Sequence, residues 1–412
     1  MNEEKHIPAG YKPSLLGPIP EDWEVRRLGE IGEVLMCKRI MKYQTDSCGD
    51  IPFFKIGTFG GKPDAYISRE VFDEYKAKYS YPKVGDVLIS AAGTIGRSVI
   101  FDGTPSYYQD SNIVWIDNDN KQLLNKYLYY YYSTINWITD TGTIPRLYNG
   151  TLKAIQIPTP PIDQQKRIVS ILELWDTAIE KQTALIEKLT LRKRGLMQQL
   201  LTGKKRLKGF SGGWKEVRLG KIGTFFKGSG VPKDSITSEG HKCLTYGDLY
   251  TKYDYVISNV KSYIDDNTAN NSAKIQYGDI CFAGSGETKE DIGKCAAFID
   301  GQCAYAGGDI IVFRAEGFNL ITLSYILNSD SVIRQKSNLG QGHSVVHIYP
   351  YQLERITISI PSIEEQNAIA SVLINADKEI ELANEKLARL QEEKRGLMQV
   401  LLTGKKRIHN LQ

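Results

Sequence analysis

The chain has 412 residues, of which 41% are hydrophobic and 24% charged, a composition that excludes a disordered or fibrous protein and leaves room for two or more globular domains. A formal net charge of +4 permits a nucleic-acid partner without requiring one, so the placement of charge matters more than its sum. The six cysteines, Cys37, Cys48, Cys243, Cys281, Cys295 and Cys303, form no CxxC pair, which points to reduced thiols in a cytoplasm, and no run of about 18 apolar residues or signal-type segment suggests export or a membrane span.

Residues 1–21 hold four prolines and neither a helical nor an alternating period, so they read as an extended arm. A first globular domain, 22–160, opens with Asp22-Trp-Glu-Val-Arg-Arg-Leu-Gly-Glu-Ile-Gly32. Short β-like runs follow at Val84–Ala91, Ser98–Phe101 and Asn112–Ile116, separated by glycine and asparagine turns. Helical stretches are expected after Asp64 and over Asn125–Ile135. The five tyrosines of the latter suit base stacking, but Tyr and Leu at helical spacing more often fill a core, and the matching Leu320–Leu327 is plainly apolar.

At Pro158-Thr-Pro-Pro161 the β-like texture stops and Asp163 marks a helix start at the positive end of the dipole. Apolar residues then alternate at spacings of four and three through Ile168, Leu172, Trp175, Ile179, Gln182, Ile186 and Leu189, and beyond Lys193 at Leu196 and Leu200. The helical region 161–207 ends at Thr202-Gly203, where glycine can take the left-handed conformation.

The second half repeats the first. Gly213-Trp-Lys-Glu-Val-Arg-Leu-Gly-Lys-Ile-Gly223 mirrors the first opening, Tyr277-Gly-Asp-Ile-Cys-Phe282 mirrors Val84-Gly-Asp-Val-Leu-Ile89, and Lys394–Arg407 repeats Lys193–Arg206 with one difference, Val400 for Gln199. A second domain, 208–360, and a second helical region, 361–412, follow. The second seam runs through Ile369, Leu373, Ala376, Ile380, Ala383, Leu387, Leu390, Lys394, Leu397 and Leu401 in the same register. Each helix spans roughly 57 Å at the standard rise. Ala376 and Ala383 stand where the first helix carries Trp175 and Gln182, so the two helices are expected to pair as a coiled coil; an antiparallel pair would place the two domains at opposite ends of a rod. The loops Ala92–Arg97 and Gly284–Gly293 diverge, as two readers of different targets on one scaffold would.

The search for chemistry returns little. No GxxxxGK[ST] loop or Rossmann glycine pattern is present, and the Pro160-Pro161 pair lacks the Asn and aromatic residue of an adenine methyltransferase motif. His343 and His347 lack a third zinc ligand. Asp279, Glu287 and Lys289 have the skeleton of a metal-dependent nuclease, yet their equivalents in the first half are Asp86, Thr94 and Gly96, so the repeated unit lacks the triad. From Lys188 to Lys208 there are eight basic residues, no acid lies between Lys188 and Lys215, and no acid follows Glu393; these twin basic runs fit tracking phosphates or docking an acidic subunit.

The two Trp-containing openings, the Gly85-Asp86 and Gly278-Asp279 segments, the Pro161-Ile-Asp-Gln-Gln165 and Pro361-Ser-Ile-Glu-Glu-Gln366 helix starts and the two Lys-Arg-Gly-Leu-Met-Gln endings occur in one order, twice. In this the chain resembles the specificity (S) subunit of type I restriction-modification systems, over almost its whole length. The resemblance implies an α+β protein with two similar target-recognition domains and an internal pseudo-two-fold repeat, joined by two long helices that form an antiparallel coiled coil. It implies further that each domain reads half of a bipartite site in double-stranded DNA, that the coiled coil sets the spacing, and that methyltransferase (M) and restriction (R) subunits dock on the conserved regions. Catalysis, with S-adenosylmethionine, ATP and Mg, would then belong to those subunits and this chain would need no cofactor. From loop position and charge, DNA contacts are expected at Lys38, Arg39, Lys55, Arg97 and Arg146 in the first domain and at Lys227, Lys233, Lys289 and His343 in the second. The rival expectation is a self-contained nuclease using Asp279, Glu287 and Lys289.

Overall fold

The computed structural model describes residues 7–137, 146–342 and 345–408, apart from the side chain of Lys233. The chain divides into two compact units, residues 1–183 with 385–412, and residues 184–384. Both boundaries fall inside long helices, so each unit holds one globular domain, the N-terminal half of one long helix and the C-terminal half of the other.

In the first unit a four-stranded antiparallel sheet has the order Val34–Leu35, Ile113–Ile116, Val87–Ser90, Ser98–Ile100. Its residues alternate between two cores. Val87, Ile89, Val114 and Ile116 pack on the tyrosine helix and the long helices, whereas Leu88, Ile113 and Trp115 pack on a three-stranded sheet and the helix Arg69–Lys78. The tyrosine helix, Asn125–Tyr132, is core as expected: Tyr127, Tyr130, Tyr131 and Tyr132 are buried, and the Tyr127 hydroxyl donates to the carbonyls of Pro158 and Leu402. Base stacking by these rings is therefore excluded.

The second unit repeats this plan with larger sheets. Gly223–Lys227, Ile310–Ala315, Asp279–Ala283, Cys295–Phe298 and Val256–Ile257 form one sheet, and Ser262–Ile264, His241–Leu244, Ala304–Ala306 and Ala273–Ile275 the other. Ile280, Phe282, Ile311 and Phe313 face the helices; Cys281, Ala283, Ile310 and Val312 face the second sheet.

The long helices run Ile162–Leu200 and Ile363–Leu401, 39 residues each. Every seam position of the 3.5-residue repeat is buried or half-buried. Gly203 and Gly404, just beyond the helix ends, have φ of 67° and 73°, the left-handed region that the Thr-Gly endings anticipated. Within each unit the paired helix halves are antiparallel. Leu402 meets Tyr127 beside Pro158 while Lys394 pairs with Asp176 in the first unit; Lys193 pairs with Asp377 and Arg206 with Glu365 in the second.

Those pairs, with that of Arg407 and Asp22, engage four cations of the basic runs, while Arg194, Lys204, Lys205 and Lys208 remain exposed. Lys394 also lies over the Tyr130 ring at 5.1 Å, and the Tyr130 hydroxyl donates to Asp176 at 2.6 Å. The same cluster recurs in the second unit, with Lys193 over Tyr255 at 4.5 Å and Tyr325 at 5.3 Å, and Tyr325 donating to Asp377. Arg407 binds Asp22 and Arg206 binds Glu365. These cations face inward because an acid and an aromatic face from distant segments meet them, and they fasten helix to domain.

The N-terminal arm also differs from expectation. Tyr11–Lys12 pairs with Ile19–Pro20 as a short antiparallel hairpin, and Ile19 and Pro20 are buried, Pro20 beside Gly404. The prolines fit because the ladder is only two residues long.

Candidate nucleic-acid interface

Phe54 pairs in parallel with Tyr108 and Leu244 with Ala306, which brings two chain segments side by side at corresponding places in the two domains. In the first domain the Gln109 N–H donates to the Phe54 carbonyl and the Gln109 side chain accepts from the Ile56 N–H, both at 2.9 Å, so the turn Gln109–Asn112 lies against Lys55–Gly57. Ser111 in this turn has φ of 54°, a left-handed conformation unusual for a residue other than Gly, Asn or Asp.

Basic residues converge on that turn. Arg39 is paired with Asp110 at 2.9 Å, Arg146 donates to the Ser111 carbonyl at 3.3 Å, and the Lys38 N–H donates to the Tyr107 hydroxyl at 3.1 Å. Lys55 leaves the end of the same strand and pairs with Asp64 at 2.9 Å. Arg97 stands a little apart, its guanidinium on the Phe59 carbonyl at 2.8 Å. The Arg39 and Lys55 pairs are surface pairs worth about 0–1 kcal/mol, so they hold the cations in place at little cost to exchange for a phosphate or a base edge.

The second domain has the same frame and different side chains. Ala92 bridges Arg146 in the first domain, and at the equivalent place Ser285 pairs with His347, whose Nδ1 lies 2.9 Å from the Ser285 hydroxyl. Arg146 and His347 are thus counterparts. Each is followed by a buried residue, Leu147 or Ile348, and then by an exposed tyrosine, Tyr148 (55% exposed) or Tyr349 (40%). Tyr349 stacks on Tyr351 at 6.0 Å, with the Arg355 guanidinium 5.8 Å from the Tyr351 ring.

Lys227 is exposed at the end of its strand and lines a hollow of about 630 Å³ shared with Tyr246, Gly247, Gly307, Gly308 and Asp309. Lys289 is exposed in the turn that follows the short strand Ser285–Gly286. Lys233 begins the short helical turn Lys233–Ser235, its side chain outside the described residues, as is all of His343. Sequence reasoning missed Tyr148, Tyr246, Tyr349, Tyr351, Arg355 and His347. The recurrence of Tyr148 as Tyr349 at the same 201-residue offset as the helices was the available signal.

The nuclease constellation fails on Asp279. Its carboxylate is fully buried and takes two hydrogen bonds from Arg314, at 2.7 and 2.8 Å, plus one from the Gln276 N–H, which leaves it unfit to hold a cation. Glu287 and Lys289 are exposed, and among the described residues no group of three His, Cys, Asp or Glu is placed to hold a metal ion. Burial pushes the Cys37 thiol up to about 12 and those of Cys243 and Cys295 up to about 11, so these three are inert core residues at neutral pH. Among the described residues no helix is long and apolar enough to cross a membrane.

Comparison with known proteins agrees with this geometry. The family model described as "Type I restriction modification DNA specificity domain" matches residues 20–191 and again 211–392. The chain is 28% identical, over 97% of both sequences, to the putative type I restriction enzyme MjaX specificity subunit of Methanocaldococcus jannaschii. It is 63% identical over 168 residues to a putative type I restriction enzyme specificity subunit of Haemophilus influenzae, a match covering 40% of this chain and 43% of that protein. The fold is similar to that of a type I restriction-modification S subunit from M. genitalium, with a TM-score of 0.54 at 18% identity over 92% of this chain and 96% of that one. A chain from a structural study of type I system assembly and conformational transition superimposes with a TM-score of 0.59 at 16% identity, covering 94% and 99%.

Proposed function

Because the chain belongs to the family of type I restriction-modification DNA specificity subunits, we propose that its two recognition domains, 22–160 and 208–360, each read one half of a bipartite site in double-stranded DNA. The helical regions 161–207 and 361–412 set the spacing of the halves and dock methyltransferase subunits, to which restriction subunits add. The chain itself is a non-catalytic cytoplasmic reader and scaffold. S-adenosylmethionine, ATP and Mg act in the partner subunits, and DNA is contacted by Lys38, Arg39, Lys55, Arg97 and Arg146 on one domain and by Lys227, Lys233, Lys289 and His343 on the other.

One observation carries this reading. The two domains keep the same strand pairing at the place that gathers the cations, yet replace Arg146 by His347 and Gln109 by Gly307, so the frame is common and the side chains offered to a ligand are not. Direct readout of bases depends on side-chain identity at the groove, and phosphate contact does not.

Lengthening each long helix by one heptad adds about 10 Å, equivalent to about three base-pair steps. The spacer of the modified motif is expected to grow by about that number while both half-sites stay the same. Methylation mapping in cells that supply the methyltransferase subunit reads this out, and an unchanged spacer would refute the spacing role.

A further inference from the structure

The hollow beside Lys227 contains two glycines that the fold does not require. Gly308 has no positive φ, and a Cβ built there would meet no atom within 4 Å. Gly247 is the second residue of the helix Tyr246–Thr251, again without positive φ, and its Cβ would touch only the Thr245 hydroxyl at 3.9 Å. Its counterpart Gly57, beyond the matching strand Ile51–Phe54, is equally unconfined, with nothing within 4 Å of a Cβ. Close approach of another molecule to the backbone is one use of glycine, and here it coincides with an open hollow.

The rim supports the same conclusion. Val231, a β-branched residue, is held at φ of 58°, and this strain borders the hollow. Lys227 supplies an exposed cation and Tyr246, 42% exposed, an aromatic side chain to the lining. In the first domain the equivalent space is taken by the Gln109 side chain and the Arg39–Asp110 pair. The two domains therefore present unlike surfaces to the same kind of ligand.

We infer that the hollow bounded by Lys227, Tyr246, Gly247 and Gly308 is the subsite where the second domain admits the DNA of its half-site, the glycines letting the duplex approach the backbone and Lys227 donating to a phosphate or a base acceptor. This rests on the DNA-reading function above.

The test uses the full-length chain with a randomised pool of duplex DNA, from which bound sequences are selected and read. Gly308→Leu and Gly247→Leu put bulk into the hollow at positions where an added Cβ meets nothing closer than 3.9 Å, and Lys227→Ala removes the cation. All three are expected to keep the wild-type thermal midpoint. Each should lose selection for one half-site while retaining the other, with affinity for the wild-type consensus falling at least about tenfold for the leucine variants. Leucine variants that fold and select both half-sites with wild-type affinity would overturn the subsite and leave the function standing. A wild-type chain that selects no sequence would overturn both.

Discussion

Trp23→Ala is expected to lower the stability of the first unit by about 3–5 kcal/mol, the range for emptying a buried aromatic site. Trp23 is 2% exposed and belongs to the core that joins the first sheet, the tyrosine helix and the long helices. Its indole N–H donates to the Gln164 side chain at 2.8 Å, and Gln164 in turn donates to Asp22, which also binds Arg407. Gly404 closes on the ring so tightly that a Cβ there would stand 3.1 Å from it and 2.6 Å from Pro20. Alanine would leave a cavity and an unpaired Gln164 oxygen at the point where domain opening, helix start and helix end meet. Trp214, the counterpart, is half-buried and its indole N–H has no partner among the described residues, so Trp214→Ala should cost less. Denaturant midpoints of the two variants measure the difference, and equal losses would contradict the asymmetry.

Asp279→Ala is expected to cost about 2–4 kcal/mol. Breaking a buried pair strands the remaining charge, and the partial exposure of Arg314, at 39%, keeps the loss below that of a fully enclosed pair. Arg314 and the Gln276 N–H would lose their acceptor beside a fully buried strand. An unchanged denaturation midpoint would refute this structural role. The counterpart Asp86 has no arginine; it accepts from the Lys83 N–H and from Asn125, and burial raises its pKa above the ordinary 3.8. A carboxyl raised in the folded state contributes most below its unfolded pKa and loses that contribution as pH rises through the folded value. Asp86→Asn should therefore compare more favourably with wild type at pH 7 than at pH 4.

Much of this was legible in the chain because it is local or periodic. The seam from Ile168 to Leu200 and its copy from Ile369 to Leu401 announce themselves at a 3.5-residue spacing, and Thr202-Gly203 and Thr403-Gly404 mark their ends without help from tertiary structure. Side-chain partners were not legible. Lys193 and Lys394 look like surface cations until Tyr325 and Tyr130, from other segments, are seen under them. Gln165 and Gln366 read only as helix-start residues, yet both are buried and accept from the Leu124 and Asn319 N–H groups, which ties each long helix to the short helix of its domain. The candidate interface was half legible. Charge and loop position picked out Lys38, Arg39, Lys55 and Arg146, but their gathering depends on the parallel pairing of Phe54 with Tyr108, which no local pattern encodes.

The central claim is that each domain reads its own half of a divided site. It is tested most directly by replacing residues 22–160 with the equivalent domain of another family member and mapping the methylated motif in cells that supply the methyltransferase subunit. One half-site should change to a new sequence while the other half and the spacer persist. A motif that stays wholly unchanged, or one in which both halves change together, would contradict the account.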